Sequence, residues 1–272
     1  TQNYDQCWSD AWNGWPANTQ YKVVGWYDAC KNKCSDWPWS DPKDYHGHGS
    51  HTSGIIAGAG EVDSKIRGVA NDTRLIGVRI LDSRNKGKLD DWIEAFDWIV
   101  GNKSTYRIKV VSASVSSNNP NTTLDIAARS VVNNGMILVV SAGNGYDDQT
   151  EKKITSPGRV AEAITVGATN DHDNITKYSS NGVSGSNKPD VVAPGGSTSG
   201  GINSTSHFLD CFSPWTGTSF SAPHVSGLAA LIIQGLGNRY SATKTNVLMV
   251  KNIILMTATE TNKLGEYTPS RG

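Results

Sequence analysis

The sequence predicts an α/β fold in which helices sandwich a mainly parallel β-sheet. Short apolar runs rich in valine and isoleucine alternate along the chain with segments whose apolar residues recur at helical spacing. Strands that alternate with helices form βαβ units, and the strands of such units are parallel. A chain of 272 residues is long enough to bury the core of one large domain of this kind. We therefore expect a single domain at 21–272, with residues 1–20 forming a tryptophan-rich arm packed on it.

Apolar segments with the length and composition of strands lie at 21–27, 75–81, 108–114, 136–140, 163–167 and 189–193. Helices are predicted at 89–100, 124–132 and 243–256 from their apolar residues and stop signals. A further helix follows Gly217 and ends at Gly235 or Gly237. Because proline is tolerated only in the first turn of a helix, Pro223 places the start of that helix at about Ser219.

The charge balance and the hydropathy pattern argue against two kinds of partner. Lys+Arg and Asp+Glu each number 25, so the net charge of zero gives no attraction to nucleic acid or to an anionic membrane. No apolar run approaches the roughly 18 residues of a membrane span. The chain opens with polar residues and not with a signal peptide, so we expect either an intracellular protein or a mature, processed chain.

The cysteines and the glycosylation sequons favour an extracellular protein. The four cysteines are an even set without the Cys-x-x-Cys spacing that zinc sites use: Cys7, Cys30, Cys34 and Cys211. We predict a local Cys30–Cys34 disulfide and a Cys7–Cys211 disulfide that pins the N-terminal arm, although three pairings are formally open. Five Asn-x-Ser/Thr sequons are also compatible with secretion.

Polar residues at the ends of strands and at the start of one helix make up a candidate active site. Asp28, Ser114 and Asn144 each lie at the carboxyl end of an apolar strand, and ligands of parallel sheets bind beyond these ends. Ser219 begins a helix, where unpaired backbone N–H groups and the helix dipole favour negative charge. This placement suits a serine that attacks a carbonyl group. The alternative is an N-cap serine ahead of a packed helix.

Three motifs resemble those of the subtilisin-like serine proteases, the subtilases. Gly-Thr-Ser-Phe-Ser-Ala-Pro-His-Val-Ser-Gly at 217–227 resembles the family's nucleophile motif. His-Gly-Ser-His-Thr-Ser-Gly at 48–54 resembles its histidine motif, and Ser-Ala-Gly-Asn-Gly at 141–145 resembles its Ala-Gly-Asn motif. The resemblance covers about residues 20–260. It implies a subtilisin-like fold and a secreted serine endopeptidase of broad specificity.

The resemblance also implies a role for each polar residue. Ser219 is the nucleophile that forms the acyl-enzyme, His48 is the general base and then the general acid, and Asn144 donates to the oxyanion. Asp28 orients His48. A cluster of His46, His48 and His51 that binds a metal is the alternative for the histidines, but no Glu lies between histidines at i, i+4 spacing.

Asp28 departs from the family pattern in the residues that follow it. The aspartate is usually followed by Ser or Thr and then Gly, whereas Ala29 and Cys30 stand here, so the hydrogen bonding around Asp28 must differ. The alternatives for this role, none of which ends an apolar strand, are Asp36, Asp41 and Asp44.

The substrate site and the partners follow from the resemblance as well. Ser114, Val115 and Ser116 would pair with an extended peptide as an added strand, and Ala142 and Gly143 would also bind the substrate. The floor of the first specificity pocket would lie near Thr155 and Ser156. Glu61 and Asp63 would supply oxygen ligands to a structural calcium ion, while the chemistry needs no cofactor.

The expected partners are protein or peptide substrates and, before maturation, a folding propeptide, as in a zymogen. We expect a monomer with no nucleic-acid partner. Two rival interpretations remain open. One is a processing protease of narrow specificity, and the other is a non-catalytic binding protein of the same family.

Overall fold

The computed structural model describes residues 22–30, 44–60, 66–145, 153–182, 186–197, 199–206 and 212–259. The chain divides into two compact units. Unit 1 contains the residues up to Ile108 together with Asn203–Ser213, and unit 2 contains Lys109–Ile202 and the residues from Pro214 onward. The predicted arm at 1–20 lies outside the described residues, so the predicted domain organisation stays a prediction.

Unit 1 is built on a pair of parallel strands, β1 (Val23–Asp28) and β2 (Leu75–Arg79). Helix α1 (His48–Ala57) lies between them in the chain, and helix α2 (Leu89–Tyr106) follows them. Helix α2 packs on β1, where the rings of Tyr27 and Trp98 stack with their centroids 4.6 Å apart. The pairing of β1 with β2 ends with Asp28 opposite Arg79, so it places an arginine beside the aspartate at the carboxyl end of β1.

Helix α1 is held by a close approach that only glycine permits. Strands β7 (Ile202–Thr205) and β8 (Phe212–Trp215) form a two-stranded sheet. The Ser204 and Thr205 hydroxyls donate to the α1 carbonyls of His51 and Ser50, at 2.8 and 2.7 Å. A Cβ atom at Gly54 would lie 2.3 Å from the Thr205 Oγ1 atom, so any side chain there would break these contacts.

Unit 2 contains a parallel four-stranded sheet in the order β3-β4-β5-β6. Its strands are β3 (Val110–Ala113), β4 (Ile137–Ser141), β5 (Ile164–Thr169) and β6 (Val191–Pro194). Every residue of β4 and β5 is buried, as expected for central strands that are covered on both faces. The predicted α/β class with a mainly parallel sheet is therefore confirmed.

Three helices pack on this sheet: α3 (Thr122–Asn133), α4 (Thr218–Leu236) and α5 (Lys244–Thr257). Helix α4 contacts all four strands, while α3 and α5 both contact β4. A 3₁₀ turn extends α4 to give an apolar helical segment, Thr218–Arg239, of 22 residues. By length and composition this segment is a candidate membrane span, which the sequence analysis did not anticipate. Core helices meet the same criterion, and α4 packs on the sheet of its own unit.

A buried ion cluster joins β5, β6 and α5. The Asp190 carboxylate accepts from the Lys188 Nζ at 2.5 Å, from the Lys251 Nζ at 2.8 Å and from the Thr165 N–H at 2.7 Å. Both lysines also donate to the Ala163 carbonyl. Burial lowers the pKa of Lys188 to about 8, although Asp190 raises it. Two ammonium groups thus share one carboxylate away from water.

Candidate active site

The predicted nucleophile lies in the first turn of α4. The Ser219 hydroxyl is half-buried and donates to the Ser114 carbonyl at 3.2 Å, while the Ser114 hydroxyl donates to the Ser219 carbonyl at 2.7 Å. Gly217, which precedes the helix, has a φ of 149°. A Cβ atom there would lie 3.2 Å from the Asn144 Nδ2 atom, so Gly217 keeps the approach to this amide open.

The predicted oxyanion donor is oriented by the residue before the nucleophile. The Asn144 Oδ1 atom accepts from the Thr218 N–H and from the Thr218 Oγ1 hydroxyl, each at 2.9 Å. Thr218 Oγ1 in turn accepts from the Gly143 N–H at 3.1 Å. Because the amide oxygen has two lone pairs and both are used, the Asn144 Nδ2 group is left as a donor on the other side. Thr218, which holds the amide in this orientation, is fully buried.

The predicted substrate-binding residues lie at the ends of β3 and β4. A Cβ atom at Gly143 would meet the Ser116 Oγ atom at 3.3 Å, so the two strand ends are in contact. Thr155 donates its hydroxyl to the Ser117 carbonyl at 2.5 Å, and Ser156 accepts the Ser117 N–H at 2.8 Å. Ala142 is buried and its N–H donates to the Val166 carbonyl, and Val115 is half-buried. Unit 2 therefore brings Ser219, Asn144 and the predicted substrate residues together.

The predicted base is the first residue of α1, and an aspartate caps that helix. The Asp44 carboxylate accepts the backbone N–H groups of Ser50, Gly47 and His46 at 2.7, 2.8 and 2.9 Å. Burial alone would raise the pKa of Asp44, but these N–H donors hold it below its ordinary value. Asp44, which the sequence analysis kept as an alternative to Asp28, therefore caps helix α1, and the choice of Asp28 as the acid stays a prediction.

Burial lowers the pKa of His48 to about 4. Among its charged neighbours, Asp44 raises this pKa, and His46 and His51 lower it. His48 is therefore neutral at pH 7, which is the state that a general base requires. His51 is fully buried, and its Nε2 atom is bonded to the Ser213 carbonyl at 2.9 Å. Within the described ranges, no group of three or more His, Cys, Asp or Glu side chains is placed to bind a metal.

The structure gives Asp28 partners other than the one predicted. The Arg79 Nη1 atom donates to its Oδ2 atom at 3.0 Å, and the Cys30 N–H donates to its Oδ1 atom at 2.9 Å. Among the residues that the structure describes, the hydrogen-bond partners of this carboxylate do not include His48. The predicted orientation of His48 by Asp28 thus remains a prediction. The sequence analysis missed both Arg79 and Thr218. In the sequence, Arg79 is marked by its charge inside an apolar strand. Thr218 is marked by a hydroxyl next to the predicted nucleophile.

Several predicted residues lie outside the described part of the chain. They are the calcium ligands Glu61 and Asp63, the alternatives Asp36 and Asp41, and three of the cysteines, Cys7, Cys34 and Cys211. Cys30 is buried, and the described residues contain no free cysteine. The disulfide pairing and the calcium site therefore stay predictions.

The sequence of this chain is similar to those of several known serine proteases. The chain is 31% identical over 243 residues to the serine protease AprX of Bacillus subtilis, a match that covers 78% of this chain and 53% of the relative. It is 34% identical over 197 residues to an extracellular serine proteinase of a Thermus species, covering 72% of this chain and 43% of the relative. It is 31% identical over 193 residues to subtilisin BL of Lederbergia lenta, covering 71% of this chain and 65% of the relative.

A solved structure and a family model agree with these relatives. The crystal structure of a cold-adapted subtilisin-like serine proteinase matches with a TM-score of 0.69 and 26% identity, covering 93% of this chain and 90% of that one. The chain spans less than two thirds of the length of the relatives named above. The model described as "Peptidase_S8: Subtilase family" matches residues 19–271. This chain belongs to the subtilase family.

Proposed function

We propose that the chain is a serine endopeptidase that hydrolyses peptide bonds in proteins through an acyl-enzyme on Ser219. The observation that carries this proposal is the arrangement at the start of α4. There the half-buried Ser219 directly follows Thr218, whose N–H and hydroxyl both donate to the amide oxygen of Asn144. Such an amide presents its N–H to an oxyanion without reorganising, and this preorganisation is a main source of rate enhancement in acyl transfer.

The proposed mechanism assigns one step to each of these groups. Ser219 attacks the scissile carbonyl while neutral His48 takes its proton, and the imidazolium then protonates the leaving amine. The tetrahedral oxyanion is held by the Asn144 Nδ2 group and the Ser219 N–H at the positive end of α4. The Ser219 hydroxyl bond to the Ser114 carbonyl is long, at 3.2 Å, so redirecting that proton to a base costs little. Asp28 orients His48.

The substrate would bind as an added strand along 114–116, beyond the end of β3. We propose broad specificity, because the exposed Ser116 and the neighbouring Gly143 offer no charged group to select one side chain. We also propose a secreted, monomeric enzyme that matures from a propeptide, with structural calcium at Glu61 and Asp63 and no cofactor in the chemistry. The name of the extracellular Thermus relative supports secretion.

A fluorophosphonate probe followed by peptide mapping tests the nucleophile. We expect one adduct, on the Ser219 peptide, that is lost in the His48→Ala and Ser219→Ala variants and on denaturation. Ser221→Ala is the matched control, because Ser221 lies in the same helix turn but is fully buried. It should label like the wild type. Peptide hydrolysis should disappear in Ser219→Ala without a change in the melting temperature.

One observation favours a second candidate, a non-catalytic binding protein of the same family. The Asp28 carboxylate is bonded to Arg79 and Cys30 in this structure, whereas the proposed mechanism needs it on His48. The same probe separates the two functions. Folded wild-type protein that takes no adduct and hydrolyses no peptide would reject the endopeptidase and leave the binding protein.

A further inference from the structure

We propose that Arg79 is a positioning residue that holds the Asp28 carboxylate, in the place of the hydroxyl and glycine that usually follow this aspartate. The inference rests on the proposed function, because it takes Asp28 as the acid that orients His48. It concerns unit 1 alone. Ala29 and Cys30 offer no side-chain hydroxyl, so any side-chain donor to the carboxylate must come from another part of the chain.

Within the described part of the chain, each of the two carboxylate oxygens has one donor. The Arg79 Nη1 atom reaches Oδ2 at 3.0 Å, and the Cys30 N–H reaches Oδ1 at 2.9 Å. Donors on both oxygens fix the plane of the carboxylate and not only its position. A carboxylate has about four acceptor sites, so either oxygen can still accept a further N–H from an imidazole. The contact therefore positions Asp28 without consuming its capacity to act.

Arg79 is itself immobilised. Its side chain is only 8% exposed, and its Nε atom donates to the Leu81 carbonyl at 3.2 Å. Its guanidinium lies over the ring of Tyr45, 4.9 Å from the ring centroid, and its backbone carbonyl accepts the Ala29 N–H at 3.0 Å. Tyr45 lies between Asp44, which caps α1, and His48, which begins it. Arg79 thus links the end of β1 to the segment that leads into the helix of His48.

Arginine is suited to this task in a way that lysine is not. Its planar guanidinium can donate from two edges while its face stacks on an aromatic ring, whereas an ammonium group is a compact point charge. Here the same group bonds Asp28, bonds Leu81 and stacks on Tyr45. A lysine could restore the charge but not the stacked, forked geometry.

The charge of Arg79 should affect the pH dependence of catalysis. Arg79 opposes the negative charge of Asp28, which would otherwise stabilise protonated His48 more strongly. Other ionisable groups face this region and stay constant between variants: Asp44, His46 and His51 around His48, Tyr45 ahead of α1, and Tyr27, Glu94 and Tyr106 at the interface of β1 and α2. Removing Arg79 should therefore move the acid limb of the kcat/KM profile to higher pH.

The experiment compares Arg79→Met, Arg79→Lys and the control Arg84→Met in peptide hydrolysis across pH. Arg84 also pairs with an aspartate, Asp82, but its side chain is 70% exposed and makes no contact with Asp28. We expect Arg79→Met to lower kcat about 10- to 100-fold with KM within about twofold, because a misplaced catalytic group costs rate and not binding. Its acid limb should rise by about half a pH unit or more. Arg79→Lys should restore the acid limb and only part of kcat.

A purely structural role for Arg79 predicts something different, namely a lower melting temperature with an unchanged acid limb and an unchanged kcat. That result, with an active wild type, would overturn this inference and leave the proposed function standing. If Arg79→Met does not fold, Arg79→Gln is judged by the same acid limb. A wild type that neither hydrolyses the peptide nor labels at Ser219 would overturn the proposed function, and this inference with it.

Discussion

Replacing Thr218 with valine tests whether the orientation of the Asn144 amide matters. Valine keeps the shape of threonine but removes Oγ1, which donates to Asn144 Oδ1 at 2.9 Å and accepts the Gly143 N–H at 3.1 Å. The Thr218 N–H bond to Asn144 remains, so the amide keeps one of its two anchors. The substitution therefore loosens the amide without removing it.

The expected magnitude follows from these contacts. Loss of a whole oxyanion donor costs about 10²- to 10³-fold in kcat. Loss of one orienting hydrogen bond is worth about 0.5–1.5 kcal/mol, which corresponds to a decrease of kcat of up to about tenfold. The KM should hardly change, because the oxyanion exists only in the transition state. The unpaired, buried Gly143 N–H should also lower the free energy of unfolding by about 1–3 kcal/mol.

The assay is steady-state hydrolysis of a peptide substrate by Thr218→Val, with Thr218→Ser as the control that keeps the hydroxyl. Asn144→Ala completes a double-mutant cycle. Thr218→Val should cost little kcat once Asn144 is absent, because both changes act through the same amide. Additive losses in the cycle, or a change in KM with kcat intact, would refute the idea that Thr218 works by orienting Asn144.

The remaining predictions concern pH and packing. Because burial lowers the pKa of His48 to about 4, the acid limb of kcat/KM should lie below pH 6.5, and a limb at pH 7 or above would contradict this. Burial also lowers the pKa of Lys188 from its ordinary value of 10.5 to about 8. Between these two pH values the unfolded state binds more protons than the folded state, so the free energy of unfolding should rise with pH. Denaturant unfolding at pH 7 and pH 10 should show a difference of about 1–3 kcal/mol that Lys188→Met removes. Gly54→Ala should destabilise by about 1–3 kcal/mol because its methyl group would overlap Thr205. Gly101→Ala, in open space on α2, should stabilise by about 0.5–1 kcal/mol, and thermal unfolding of both variants checks the contrast.

The strands of unit 2 could be predicted closely because they are buried on both faces. Strands β3, β4 and β5 were expected as continuous apolar runs, and their observed ends lie close to the predicted ones. The end of α4 was predicted from its glycines, and it is Gly237 that follows the helix.

Helix α1 and strands β7 and β8 were not predicted, for a physical reason. The apolar residues of α1 form no clear stripe, because small residues and one histidine occupy most of its buried face. Strand β7 lies in a Gly, Ser and Asn-rich stretch where no alternation of apolar residues marks a strand. What defines α1 is its tertiary contact through Gly54 with Ser204 and Thr205, and this contact is invisible in local sequence.

The sequence pattern located the proposed reacting groups but not the side chains that hold them. Thr218 and Arg79 do the same kind of work, since each donates to an oxygen of a proposed functional residue. They differ in charge. Thr218 is neutral, so Thr218→Val should lower kcat and leave the acid limb in place, whereas Arg79→Met should lower kcat and move that limb. If both variants moved the acid limb alike, positioning alone would account for neither, and the charge argument for Arg79 would fail.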